Sequence, residues 1–232
     1  MSNLLALKDI EKYYKQGEIQ VHALRDVNLT LAEGEFAALV GPSGSGKTTL
    51  LNIIGGLDIA SSGTISVNGT DLSSIPEQKL SQFRLFQIGF IFQAYNLVPV
   101  LSALENVELV MVLQGRSKKE REERAKHYLD IVGLADMMDR RPSALSGGQQ
   151  QRVAVARALA AGPRIVLADE PTANLDSENA TALLDIMFKL AKEEQTTFLF
   201  STHDPRVMDV AHRIITLSDG MIKSDELHFQ NK

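Results

Sequence analysis

The stretch Phe36–Leu57 reads FAALVGPSGSGKTTLLNIIGGL, and the order of its residue types decides the fold. "FAALV" is a short continuous apolar run, as expected of a strand buried on both faces. Gly41 to Thr48, "GPSGSGKT", fits G-x-x-x-x-G-K-[ST] in full. "TTLLNIIGGL" predicts a helix directly after it. A strand, a glycine-rich turn and a helix together are the setting in which such a turn binds phosphate, because the glycines let the backbone curl until its N–H groups converge on an anion. The candidate binding loop is Gly41, Pro42, Ser43, Gly44, Ser45, Gly46, Lys47, Thr48 and Thr49. Lys47 offers positive charge to the β- and γ-phosphates of a nucleotide. Thr48 offers a hydroxyl to Mg²⁺, which prefers oxygen ligands and keeps several waters.

Working outward, "RIVLAD" (Arg164–Asp169) and "TFLFSTH" (Thr197–His203) are further apolar runs of the same kind, with helical patterns between them. That alternation predicts an α/β core with a parallel sheet. "LLALKDI" and "HALRDVNLTL" alternate like half-buried strands, and "GTISVNGTDL" carries the tight-turn pair Asn68-Gly69. These predict a small antiparallel β-subdomain near the N-terminus. "RIITLSDGMIKSDE" closes the fold with an Asp219-Gly220 hairpin. Roughly residues 96–144 are helix-rich and read as a helical lobe inserted into the core, the whole of 1–232 forming one domain. Within "SKKEREERAKHYLDIVGL", Glu120 with Arg124 and Glu122 with Lys126 are spaced to pair on one solvated helix face.

The ends of the apolar runs carry the candidate chemistry. Open α/β sheets bind ligands outside the carboxyl ends of their strands. "IVLADEP" places Asp169 where it faces the Mg²⁺ of the phosphate loop, and Glu170 where a carboxylate polarises an attacking water. "FIFQ" places Gln93 within reach of both metal and water. "STHD" places His203 as a γ-phosphate contact. The metal set is thus Thr48, Gln93 and Asp169, and the catalytic set Glu170, His203, Gln93 and Lys47. His22, His127, His212 and His228 have no metal-ligand spacing, and none is read as functional. Tyr13 and Tyr14 precede the polar turn "KQGE"; either ring can stack on adenine or serve as a strand residue, and the residues alone do not choose between them.

Bulk properties narrow the partners. The 232 residues carry a net charge of −5, with 44% hydrophobic and 23% charged residues, which argues against nucleic acid as the main partner. With no cysteine there is no disulfide, thiolate metal site or cysteine nucleophile. The N-terminus lacks the pattern of a signal peptide. The most apolar stretch, "LSALENVELVMVLQG", is interrupted by Glu105 and Glu108, so no segment spans a bilayer. Work at a membrane then requires a partner.

One stretch is left over. "ALSGGQQQR" (Ala144–Arg152) looks like a second anion-seeking helix start, without a lysine. The order of phosphate loop, Gln93, "LSGGQQQR", "IVLADE", "ANLD" and His203 resembles the nucleotide-binding subunit of an ATP-binding cassette (ABC) transporter over essentially the whole chain. The resemblance implies a head-to-tail dimer, in which Ser146, Gly147, Gly148 and Gln149 of one copy cap the ATP held by the phosphate loop of the other. It implies Tyr14 as the adenine-stacking residue and Asp176 at the dimer interface. It also implies ATP and Mg²⁺ as cofactors, an integral membrane permease as partner, and a cytoplasmic position on the inner face of the membrane through that partner. "GGLD", "IGFIFQAYNLVPVLSALENV" and "LADEPTANLDS" are similar to the LolD- and MacB-type subgroup, with Ala173 where many relatives have glycine. The implied function is ATP hydrolysis driving export, lipoprotein release or mechanotransmission. The rival readings are an FtsE-type regulator of a membrane partner, and a soluble ABC ATPase acting on nucleic acid or ribosomes.

Overall fold

In the computed structural model, which describes residues 3–17 and 19–228, the chain opens with the antiparallel strands β1 (Asn3–Gln16) and β2 (Ile19–Ala32). There follow β3 (Phe36–Val40), α1 (Lys47–Ile54), β4 (Ser62–Val67), β5 (Thr70–Asp71), α2 (Glu77–Gln87) and β6 (Ile88–Ile91). Next come α3 (Ala103–Leu113), α4 (Lys118–Ile131) and α5 (Gly147–Ala160). The chain continues through β7 (Ile165–Asp169), α6 (Ser177–Glu194), β8 (Thr197–Thr202), α7 (Pro205–Val210), β9 (Arg213–Ser218) and β10 (Met221–Leu227).

The strands form two sheets. One is antiparallel, in the order β2-β1-β4-β5, and its β4–β5 turn is Asn68-Gly69, both residues at positive φ. The other has the order β10-β9-β3-β8-β7-β6 and is parallel from β9 to β6. Only its edge strand β10 is antiparallel, returned through the Asp219-Gly220 turn. The sheet is therefore mixed, as the closing hairpin requires.

Side chains alternate across each strand, so every central strand feeds two cores. Phe36, Ala38, Val166, Phe198 and Phe200 pack on the helical side with α3, α4, α5 and α6. Ala37, Leu39, Leu167 and Leu199 pack on α1 and the antiparallel sheet. The helical lobe shares the first of these cores: Val107, Met111 and Leu129 belong to the same buried cluster as Phe198. α3 starts on a reciprocal cap, in which Ser102 Oγ accepts from the Glu105 N–H and the Glu105 carboxylate accepts from the Ser102 N–H.

The charge pattern of α4 resolves differently from its spacing. Glu120 pairs with Arg116 at 3.2 Å, while Arg124 turns inward and its Nε donates to the Ala160 carbonyl at 2.9 Å. Among the described residues Glu122 and Lys126 form no ion pair. The carbonyl at the end of α5 has no intrahelical partner, and the half-buried guanidinium of Arg124 satisfies it in place of a solvated pair with Glu120.

Candidate active site

Parallel register brings four strand ends to one edge. Val40 lies opposite Thr202, Asp169 opposite Ser201, and Ala168 opposite Ile91. The residues that follow these ends, Gly41, Glu170, His203 and Gln93, line one cavity of about 770 Å³ together with Lys47 and Thr48.

The phosphate loop forms because its glycines have no substitute. A Cβ on Gly41 would lie 2.0 Å from the Leu217 carbonyl oxygen, and one on Gly46, at φ +106°, 2.8 Å from that of Ala23. Gly46 is the N-cap of α1, so the N–H groups that start the helix face the cavity edge without intrahelical partners. Lys47 is buried, and its Nζ donates to the carbonyls of Gly41 at 2.8 Å and Pro42 at 3.1 Å. Among the described residues no carboxylate pairs with it. Its charge is therefore held by weak neutral acceptors and is available to an anion.

Pro42, Ser43, Gly44 and Thr49 also line the cavity. Ser45 does not: it is buried, and its Oγ has no partner. Its N–H donates to the Pro42 carbonyl at 3.2 Å and its carbonyl accepts from the Gly220 N–H at 3.0 Å, so its backbone is also engaged within the protein.

Thr48 Oγ1 lies 3.0 and 3.3 Å from the two carboxylate oxygens of Asp169. Among the described residues no cluster of three acidic or histidine side chains could hold a metal. One hydroxyl and one carboxylate do fit Mg²⁺, which takes the rest of its shell from phosphates and water. Beside them Glu170 stands at φ +45°, and its N–H donates to the Ser201 carbonyl at 2.8 Å. Its two oxygens meet His203 Nδ1 at 2.8 Å and Thr202 Oγ1 at 3.4 Å. The Gln93 carbonyl accepts from Asn174 Nδ2 at 2.9 Å, which ties the loop after β6 to the loop after β7.

Other expected residues stand apart from the cavity. Ser146, Gly147, Gly148 and Gln149 are not in its walls. Ser146 is the exposed N-cap of α5: its Oγ accepts from the Gln149 N–H, and Gln149 Oε1 accepts from the Ser146 N–H at 2.9 Å. The Gln149 side chain is thus committed to the cap, while the Ser146 hydroxyl keeps its proton to donate. Asp176 is exposed and caps α6 through the Asn179 N–H at 2.9 Å. Tyr14 lies outside the cavity walls, though its strand partner Val21 lines them. Its hydroxyl donates to Asp58 at 2.5 Å, and Lys12 Nζ, also bonded to Asp58, sits 4.7 Å from the ring centre.

His22, read above as without function, and two residues the sequence does not single out, Ser201 and Asp58, lie in or beside the site. His22 lines the cavity, stacks on Tyr13 with centres 4.1 Å apart and pairs with Glu11. Its signal was weak, because cross-strand pairing with Tyr13 depends on bulges in β1. Ser201 lines the cavity as a buried hydroxyl without a partner. Asp58, the acid of "GGLD", fixes the Tyr14 hydroxyl.

The sheet, phosphate loop and acid pair define a P-loop nucleoside triphosphatase. The chain belongs to the ABC transporter family, which its residues 24–173 match. It is 46% identical over 226 residues to an uncharacterized ABC transporter ATP-binding protein of Thermotoga maritima, covering 97% of this chain and 96% of that protein. It is 44% identical over 223 residues to the macrolide export ATP-binding/permease protein MacB of Aggregatibacter actinomycetemcomitans, covering 96% of this chain and 34% of that longer protein. Among solved structures it is similar to the dimeric post-hydrolysis state of the ATP-binding cassette MJ0796 bound to ADP and Pi. The TM-score is 0.89 at 43% identity, over 96% of this chain and 98% of that one. The chain is accordingly an ATP-binding ATPase of the ABC family.

Proposed function

We propose that this chain hydrolyses ATP at a composite site between two copies of itself and thereby drives an integral membrane permease, at the inner face of the membrane. One observation carries the reading. The phosphate loop and Glu170 line a single open cavity, while the exposed helix start at Ser146 stands outside it. An anion-binding turn with a free hydroxyl proton, set apart from the phosphate loop of its own copy, suits a nucleotide held by a second copy. The dimeric state of the similar cassette supports the same arrangement.

In this reading Lys47 and the backbone N–H groups of Gly44 to Thr49 hold the β- and γ-phosphates, and the Tyr14 ring stacks on adenine. Thr48, Gln93 and Asp169 hold Mg²⁺, which when bound neutralises phosphate charge. Glu170 accepts a proton from the attacking water, and His203 leaves its carboxylate to donate to the γ-phosphate. Ser146, Gly147 and Gly148 close the site from the partner copy. Preorganised donors of this kind act where charge develops. Loss of the γ-phosphate removes the contacts that favour the closed dimer, so hydrolysis becomes a population shift between closed and open states.

Export, lipoprotein release or mechanotransmission is the work coupled to it; the similarity to the macrolide export ATP-binding/permease protein MacB supports an export partner. A second cavity of about 360 Å³ fits the docking of that permease. Leu57, Arg84, Phe90, Phe92, Leu109 and Val110 line it, one residue from Gln93. Phe86 and Leu113, on the flanking helices, are exposed. An apolar notch beside the glutamine loop suits a short helix of the permease.

The test is oligomeric state. Glu170→Gln chain with ATP should elute as a dimer and with ADP as a monomer. A monomer under both conditions contradicts the composite site.

A further inference from the structure

Gln151 lies on α5, just beyond the signature turn, and is fully buried. Its Nε2 donates to the Pro171 carbonyl at 2.8 Å and reaches the Phe92 carbonyl at 3.5 Å. Pro171 follows Glu170 in the chain, and Phe92 precedes Gln93. Both neighbours are acceptors, so the amide is oriented with its NH₂ toward them. Its Oε1 is buried without a partner. A buried orphan acceptor is unfavourable, and an apolar side chain of the same length would avoid it. The amide is therefore poorly explained by stability alone.

The same helix makes a second grip nearly two turns on. Arg157 Nη1 donates to the Asn96 carbonyl at 2.5 Å and Nη2 to that of Tyr95 at 2.9 Å. Asn174 then joins the two held loops to each other through the Gln93 carbonyl. The loop bearing Glu170 and the loop bearing Gln93 thus both hang on α5, and Gln151 is the side chain that touches both.

We infer that Gln151 is a positioning residue for hydrolysis: its amide fixes the Glu170 and Gln93 loops relative to each other and to the signature helix. The inference rests on the composite-site reading. Under that reading α5 grips the nucleotide of one site at its N-terminus and supports the hydrolytic groups of the other through Gln151. Each site then senses whether its neighbour is closed, through one buried amide.

The experiment compares Gln151→Met and Gln151→Glu with wild type, as full chains with MgATP. Methionine keeps the length and loses the donor. It should lower kcat about tenfold to a hundredfold, as a small misplacement of reacting groups does, while ATP affinity stays within about twofold of wild type. Glutamate is the second reading of the same position. A buried carboxyl without a counter-charge takes up a proton, and its O–H can then donate to Pro171. The kcat of Gln151→Glu relative to wild type should therefore rise as pH falls from about 8 to about 6.

Wild-type kcat in Gln151→Met overturns the inference. So does a loss of ATP affinity in step with kcat, which marks a purely structural residue, or a flat pH ratio for Gln151→Glu. The composite-site reading fails by a different result, the absence of an ATP-dependent dimer in Glu170→Gln with Gln151 intact.

Discussion

Glu170 Oε1 and His203 Nδ1 lie 2.8 Å apart at the ends of the neighbouring strands β7 and β8. The histidine is exposed and the glutamate mostly covered, so the contact is a latch across the mouth of the phosphate cavity. Under the proposed function a γ-phosphate entering between them would compete for the histidine and free the carboxylate. Glu170→Gln keeps the shape and removes the proposed base. Its kcat should fall ~10²–10⁴-fold, the usual share of a general base, with ATP still raising Tm. Steady-state turnover beside a thermal-shift titration checks both halves.

Lys47 holds its charge on two carbonyls, with no acid partner among the described residues. Lys47→Ala should therefore cost the bare protein little and the complex much. Wild type at about 100 times Kd in ATP gains ~2.7 kcal/mol of stability from binding alone. The variant should gain almost none at the same ATP concentration, measured by chemical denaturation with and without nucleotide.

Asp58 accepts from Lys12 and Tyr14. Burial alone raises its pKa, but these hydrogen bonds outweigh burial and hold the carboxyl below its ordinary value. A lowered folded pKa means that the unfolded chain takes up the proton first, so stability rises with pH across the gap. The contribution is complete above the ordinary carboxylate range near about pH 4 and is lost as pH falls through the folded value. Asp58→Asn should be less stable than wild type by ~1–3 kcal/mol at neutral pH. The difference should shrink in denaturation curves taken below about pH 4.

A Cβ on Gly147 would lie 2.7 Å from the Tyr95 hydroxyl, so the tip of the Tyr95 side chain must shift to admit one. Gly147→Ala should destabilise by ~1–3 kcal/mol, the usual cost of overpacking. Removing the obstructing oxygen with Tyr95→Phe should recover part of that loss. Equal stability of Gly147→Ala with either residue at 95 contradicts the contact.

The fold was legible wherever side-chain period and burial agree. The run "FAALV" is buried at all five positions, as its unbroken apolarity requires. Asn68-Gly69 and Asp219-Gly220 both turn at positive φ, the conformation those residue pairs favour. Lys47, Thr48, Glu170, Gln93 and His203 converge because they follow strands of one parallel sheet, a relation readable from their local sequence. What escaped reading depends on tertiary placement. His22 enters the cavity through a bulged register, and Arg124 leaves its helical partner for a carbonyl on another helix. Gln151 is one of three consecutive glutamines, and only its burial sets it apart.

The central claim is that each nucleotide is enclosed by two copies, and mixing two inactive variants tests it most directly. Lys47→Ala spoils the phosphate loop and leaves the signature turn; Ser146→Arg does the reverse. Each alone should be nearly inactive, since both of its sites contain the defect. In a mixed dimer both defects fall in one site, and the other pairs an intact phosphate loop with an intact signature turn. Turnover of the mixture should rise well above either parent. No recovery on mixing, or full activity in Ser146→Arg alone, contradicts the claim.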